Sequence, residues 1–416
     1  MEKRNYIPSF LIAYLLSIGG FNQLMGIVLD KSDGIMIMNL IPVAALLALH
    51  FFLSDKKHDL NMDKKALLFV YYIVSVIAIY KYAAIYTTFS AVEVIVYCFI
   101  PIYLSFYKFD VEKTLKFVIF FSILVVPVSN EFFKTIERSY ETIGMSTTYN
   151  VLPFIVAGIL HFWYYRKSAG AITWIGYGVN AYYLIKAVLY GNRGPIISLM
   201  ILIVLLYLHK FNEDGIMKKN RFRTVFVTIA VGVAATAVVG NIEDIILWLY
   251  KWLKSMNIEI AAVSKSVAKM AGGDLSNGRE ELYRFVWNGI KEGYLFGNGI
   301  SSITYKSYGR IGYPHNLVLQ MWYDLGILVS IPLLWITVKS VFKTFFENCL
   351  KKECAVILML VCTLSIPRLC YSAEFWTNIP FWFLIMFTVS PNIYDDDKEY
   401  QEAGITQEGD VTDGRY

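Results

Sequence analysis

The chain of 416 residues is 56% hydrophobic, 16% aromatic and only 17% charged, with a formal net charge of +5. Its apolar residues come in blocks close to the ~20 residues that span a bilayer, so an ordinary soluble domain is excluded and an all-α polytopic membrane protein is expected. The basic residues are parcelled out between those blocks rather than massed on one stretch, which argues against a nucleic-acid partner.

Taken in order, Lys3 and Arg4 precede a first apolar block without a small-residue cleavage site, which reads as a retained signal anchor. Spans are predicted at 7–29, 34–53, 66–86, 89–106, 115–129, 150–165, 171–190, 194–209, 223–240, 316–338, 354–371 and 375–391, about twelve transmembrane helices. Alternate connections are basic: Lys56, Lys57, Lys64 and Lys65; Lys108, Lys113 and Lys116; Arg166 and Lys167; Lys210, Lys218, Lys219, Arg221 and Arg223; Lys339, Lys343, Lys351 and Lys352. The positive-inside bias assigns that side to the cytoplasm. Both termini then lie inside, and the connections 130–149 and 241–314 lie outside. Residues 1–391 are expected to form a single transmembrane domain, with 241–314 inserted between helices 9 and 10 as a large extracytoplasmic loop. The tail 392–416, with Asp395, Asp396 and Asp397, is expected to be cytoplasmic and disordered. The five cysteines, Cys98, Cys349, Cys354, Cys362 and Cys370, form no CxxC pair and read as packing residues rather than a disulfide framework or a zinc site.

The first five spans carry little chemistry. Glu93 inside the fourth either faces a polar cavity or reaches the interface, and Asp30 and Asp33 in DKSDG read as turn residues. NEFFKTIERSYETIG, from Asn130, has apolar spacing that predicts a short interfacial helix.

Between the seventh and eighth spans, Gly191, Gly194 and Pro195 shape a tight YGNRGP turn that sets Arg193 at a helix N-terminus. There its guanidinium adds to free backbone N–H groups, a combination suited to an oxyanion such as phosphate. A snorkelling boundary arginine is the plainer alternative, but positive-inside bias disfavours an arginine on the outer side.

The large loop opens with DIILWLYKWLK, whose Trp248, Tyr250 and Trp252 suit a helix lying on the membrane. IEIAAVSKSVAKMAGG follows as a helix with a solvated lysine face. SNGREELYRFVWNGIKEG then predicts another, capped by Ser276 or Asn277 and apolar at Leu282, Phe285, Val286 and Ile290. Arg279 is out of character in its first turn, where a cation is disfavoured unless it shares an anion with the free N–H groups.

The tenth span is predicted to start at Pro314, with His315 and Asn316 in its opening turn and a polar stripe of Asn316, Gln320, Tyr323 and Asp324. Such a stripe points to a water-filled cavity or the bundle interior. A helix N-terminus favours the neutral imidazole of His315, the form able to take a proton from a hydroxyl, although a boundary histidine also suits the interface. With the membrane-edge Arg368, the groups Arg193, Arg279 and His315 all fall on the extracytoplasmic side of a topology derived from charge alone.

The GNRGP turn, the GRE at the head of a loop helix, the FGNG at the loop's end and the run PHNLVLQMWYDLGIL together resemble the bacterial O-antigen polymerase and O-antigen ligase family, over about residues 190–330. The resemblance implies glycosyl transfer outside the cytoplasm, in the cytoplasmic (inner) membrane. The donor would be an undecaprenyl-diphosphate-linked oligosaccharide and the acceptor a hydroxyl of a second glycan, with no cofactor and no metal. Arg193 and Arg279 would bind the diphosphate, His315 would be the catalytic base, and Asn316, Gln320, Asp324 and Arg368 would support them. A chain-length regulator is a candidate partner. Polymerisation of repeat units into O-antigen or capsular polysaccharide is preferred over ligation to an acceptor such as lipid A core. A flippase of lipid-linked oligosaccharide is the alternative from another class, disfavoured because the long connection follows the ninth span rather than dividing two six-helix halves.

Overall fold

The computed structural model describes residues 6–29, 63–80, 95–139, 143–190, 193–213, 242–258, 279–300, 302–346 and 351–390, with isolated positions within 44–48 and 260–268. Among them the chain is helical, without a β-strand. In order stand α1 (Tyr6–Leu16), α2 (Ile18–Leu29), α3 (Lys64–Tyr80), a π-helical turn (Ile95–Phe99) leading to α4 (Ile100–Leu104), α5 (Val111–Ser139), α6 (Ile143–Tyr165) and α7 (Ala171–Tyr190). There follow α8 (Arg193–Glu213), α9 (Ile242–Ser255), α10 (Arg279–Glu292), α11 (Ser302–Lys306), α12 (Leu317–Phe346), α13 (Lys352–Tyr371) and α14 (Ile379–Val389). The spans expected at 34–53 and 223–240, the positions Asp30, Asp33 and Glu93, the caps Ser276 and Asn277, and the tail 392–416 lie outside the described residues.

Two described helices, Leu317–Phe345 and Lys352–Cys370, are long and apolar enough to cross a bilayer, and the bent pair Tyr6–Leu16 and Ile18–Met25 makes a third if it is one span. A helix that is apolar on every side belongs at the centre of a bundle. Accordingly, Val356, Ile357, Leu358 and Leu360 of α13 and Phe383, Leu384 and Phe387 of α14 are fully buried, in one core with α1, α5, α6, α7 and α8. α12 is one-sided: Leu328, Ile331, Trp335, Val338 and Phe342 recur every three to four residues and are half to two-thirds exposed. That apolar stripe suits lipid, as an exposed apolar face on a spanning helix must.

Three boundaries differ from expectation. NEFFKTIERSYETIG is no separate interfacial helix, because α5 continues through it to Ser139 and α6 begins at Ile143; Pro127 lies inside α5 without ending it. The twelfth span does not start at 375. Residues 372–378 are irregular, and α14 begins at Ile379, where Asn378 caps the helix by accepting from Phe381 N at 3.0 Å.

The tenth span is the third case, since α12 is broken at Gly326, whose φ of 72° and ψ of 171° are not helical. In an unbroken helix the N–H groups of Ile327 and Leu328 would bond the carbonyls of Tyr323 and Asp324. Instead those carbonyls accept from Asn298 N (2.8 Å) and Gly299 N (2.9 Å), while Ile327 N and Leu328 N donate to Tyr294 O (2.9 Å) and Leu295 O (3.2 Å). These four backbone groups are thus paired, as irregular backbone at membrane depth requires. The two backbones approach so closely that a Cβ on Gly297 would lie 2.5 Å from Gly326 N and from Leu325 C. FGNG and DLGIL are two halves of one joint, locked further by Asn298 Nδ2 donating to Gly289 O at 2.8 Å and Tyr323 O at 3.2 Å.

Candidate active site

One end of the bundle collects the polar groups. There the start of α8, the N-terminal part of α6, the end of α13, the 372–378 connection and residues 313–316 meet.

At the head of α8, a Cβ on Gly194 would overlap the Tyr149 hydroxyl and come within 2.9 Å of its Cζ. Glycine after Arg193 is what lets that phenol of α6 rest against the helix start. The Arg368 guanidinium lies over the Tyr149 ring, its Cζ 4.9 Å from the ring centre, a cation–π arrangement that lowers the cost of holding a cation among helices. Arg368 Nε is buried and has no hydrogen-bond partner among the described residues. Arg368 also lines a cavity of about 300 Å³ together with Asn22, Tyr97, Tyr149, Asn150 and Glu374. Gly19 makes room for this cavity, because a Cβ there would come within 3.0 Å of Asn150 Cγ.

Tyr313 extends the cluster toward His315. Its hydroxyl donates to Ser372 O at 2.8 Å, and burial pushes that hydroxyl above its ordinary range, with the Arg368 guanidinium opposing the shift. The Tyr313 and His315 rings pack edge to face with centroids 4.4 Å apart. A line of contacts therefore runs from Gly194 through Tyr149, Arg368 and Tyr313 to His315.

The structure moves His315 out of the helix and decides between the two places expected for the polar stripe. His315 is not in the opening turn of α12. It is half-buried in the left-handed region with φ 54°, and the helix begins at Leu317. The reason is Asn316, which acts as the N-cap by accepting from Leu319 N at 3.1 Å while its carbonyl accepts from Gln320 N at 2.9 Å. Of the two places expected for the polar stripe, Gln320 and Asp324 take the bundle interior, being 2% and 1% exposed. Gln320 Oε1 accepts from Phe375 N at 3.3 Å and Asp324 Oδ2 from Trp376 Nε1 at 3.2 Å. Trp382 Nε1 in turn donates to Trp376 O at 3.2 Å. The polar stripe is used to pin the 372–378 connection, whose buried polar groups need partners, and thereby holds Glu374 and Arg368 beside the cavity.

Residues 178–334 match the family described as O-antigen ligase. The match covers less than half of the chain and makes this stretch similar to the O-antigen polymerase and ligase family. No curated protein matches the chain. The O-antigen ligase match spans α8, α10, the Gly297–Gly326 joint and His315, and it leaves α1–α6, α13 and α14 outside. Members of the O-antigen polymerase and ligase family are glycosyltransferase-like membrane enzymes with lipid-linked glycan substrates.

Of the arginines expected at the site, the backbone of Arg193 opens α8 at the Tyr149 end of the cluster and Arg279 opens α10, with Glu280 and Glu281 in its first turn. Their side chains lie outside the described residues. α10 packs on α12 through Val286, Ile290 and Tyr323. Reading the sequence missed Tyr149, Asn150 and Asn22, which no local pattern distinguishes from other polar residues in apolar spans. Glu374 had a signal, since SAEFWTN interrupts an apolar run.

Proposed function

We propose that this chain polymerises undecaprenyl-diphosphate-linked oligosaccharide repeat units on the extracytoplasmic face of the bacterial cytoplasmic membrane. The observation that carries this reading is the line of contacts from the start of α8 through Tyr149 and Arg368 to His315. Arg368, a buried cation with an unspent Nε donor, lines a cavity in the helix bundle, and Tyr313 lies between it and the His315 imidazole.

In the proposed reaction the acceptor hydroxyl oxygen attacks the anomeric carbon of the donor sugar. His315 takes the hydroxyl proton, the C–O bond to the diphosphate breaks, and undecaprenyl diphosphate departs with the bonding electron pair. Charge grows on the leaving oxygen, where Arg193, Arg279 and Arg368 are proposed as the cationic donors that stabilise it. Holding donor and acceptor together in one cavity contributes at least as much as either group. The family match is described as O-antigen ligase, so transfer to a different acceptor is the second reading.

The test uses purified protein in proteoliposomes with labelled lipid-linked repeat units. A ladder of lengthened lipid-linked product supports polymerisation, and glycan appearing only on an added lipid A core supports ligation. Relocation across the bilayer without change in length refutes both. His315→Ala and His315→Gln should each lower turnover by about 10²–10⁴-fold with donor binding kept, since glutamine can hydrogen-bond but cannot accept a proton at neutral pH. Wild-type product length from His315→Gln would reduce His315 to an orienting group.

A further inference from the structure

A second cavity, of about 500 Å³, lies between α10 and α11, lined by Phe285, Asn288, Glu292, Tyr305, Lys306 and Tyr308, with Tyr323 among its other lining residues. We propose that this cleft is a glycan subsite that grips uncharged sugar rings of the chain being extended; the inference rests on the transferase reading above.

Three features point to a neutral polyol. The aromatic walls come first: Tyr305 and Tyr308 are 56% and 94% exposed, and Tyr308 sits at φ 53°, a left-handed position in which a tyrosine is strained. Exposed rings at the edge of a concave surface offer flat faces for the C–H face of a pyranose. Charge balance is the second. Lys306 Nζ is 3.1 Å from Glu292 Oε2 and donates to Asn298 Oδ1 at 2.7 Å, so the cleft's cation is matched and a diphosphate finds no surplus charge. An acyl chain would bury the same ion pair and the Asn288 amide without partners, at a desolvation cost. What remains suited is a ligand with both apolar faces and many hydroxyls, in a volume within the ~300–1,000 Å³ of small-ligand sites.

The third feature is rigidity toward His315. A Cβ on Gly289 would lie 3.1 Å from Tyr323 Cδ2 and Cζ, so α10 lies directly on α12. Asn298, which holds Lys306, is also bonded to Tyr323 O. From Tyr323 back to His315 is mostly one stretch of helix, roughly 12 Å at 1.5 Å per residue. A glycan held in the cleft is therefore fixed relative to the base at the reach of an oligosaccharide rather than of one sugar.

The experiment measures binding of the repeat-unit oligosaccharide, released by mild acid from the host cell's own lipid-linked pool, to the purified full chain by saturation-transfer NMR and calorimetry. Tyr308→Ala and Asn288→Ala, both at exposed positions, should each weaken the affinity by about five- to tenfold, and His315→Ala should leave it unchanged. Product chains made by the two cleft variants should be shorter at equal expression. Unchanged affinity and product length in both variants would overturn the subsite while leaving the transferase reading in place. No polymer or ligated product from wild type would refute that reading separately. Tyr308→Trp reports on the remaining alternative, in which this aromatic edge anchors in the bilayer: quenching of its fluorescence by brominated lipid overturns the proposal, and quenching by added oligosaccharide supports it.

Discussion

Replacing Gly326 by alanine tests whether the joint between FGNG and the broken α12 holds the site together. Its φ of 72° and ψ of 171° fall in a region essentially reserved for glycine, where a side chain costs about 1–3 kcal/mol. The new Cβ would also lie 2.5 Å from Leu295 C, so the two backbones must part and weaken the four hydrogen bonds of the joint, worth about 0.5–1.5 kcal/mol each. A loss of about 2–6 kcal/mol follows if half of that bonding is lost. Two other glycines calibrate the effect. Gly309 has φ 77° but nothing within 4 Å of its Cβ, and Gly312 has open space and no left-handed φ. Gly309→Ala should therefore cost about 1–2 kcal/mol and Gly312→Ala no more than ~0.5 kcal/mol. Thermal unfolding in detergent, followed by reaction of a thiol dye with the buried thiols of Cys98, Cys354 and Cys362, should rank the variants in that order. Polymer output should drop most in Gly326→Ala. Co-melting of Gly326→Ala with Gly309→Ala would show that the close approach at the joint is energetically unimportant.

Arg193→Ala and Arg279→Ala should keep the protein in the membrane and abolish polymer, with Arg279→Lys only a partial rescue because an ammonium lacks the guanidinium fork; normal ladders from both alanine variants at matched expression would contradict the anion-clamp role. Activity should persist in EDTA, since arginines are proposed to neutralise the leaving group, and chelator inhibition reversed by magnesium or manganese would show otherwise. Because burial raises the Tyr313 hydroxyl above its ordinary range, its tie to Ser372 is fully present below the unfolded value of about 10 and is lost as pH rises through the higher folded value. Tyr313→Phe should lower stability by about 1 kcal/mol near neutral pH and flatten the loss seen in melting curves above pH 10; an alkaline limb identical to wild type would rule this out.

Helix content and the general positions of α5 to α8 were legible in the sequence. Apolar blocks of bilayer length and the 3.6-residue period are local properties of the chain. Arg279 at the head of α10 was legible for the same reason, since helix starts are signalled within a few residues. The break at Gly326 was not, because DLGIL reads as continuous apolar helix until Asn298 and Gly299 supply donors from a distant loop. The polar stripe was legible only as a pair of alternatives, a cavity or the bundle interior. Gln320 and Asp324 share a helix face with Asn316 whatever covers that face, and only the packed 372–378 connection selects the interior for them.

By itself the sequence determined the class of the protein, its helices and a short list of charged residues that are costly within a membrane. Tertiary structure decided which of them meet. Arg368 lies on Tyr149, and Tyr149 against Gly194, across separations of more than forty residues. Such contacts are set by how helix faces dock against one another, and local periodicity carries no information about a partner that distant in the chain.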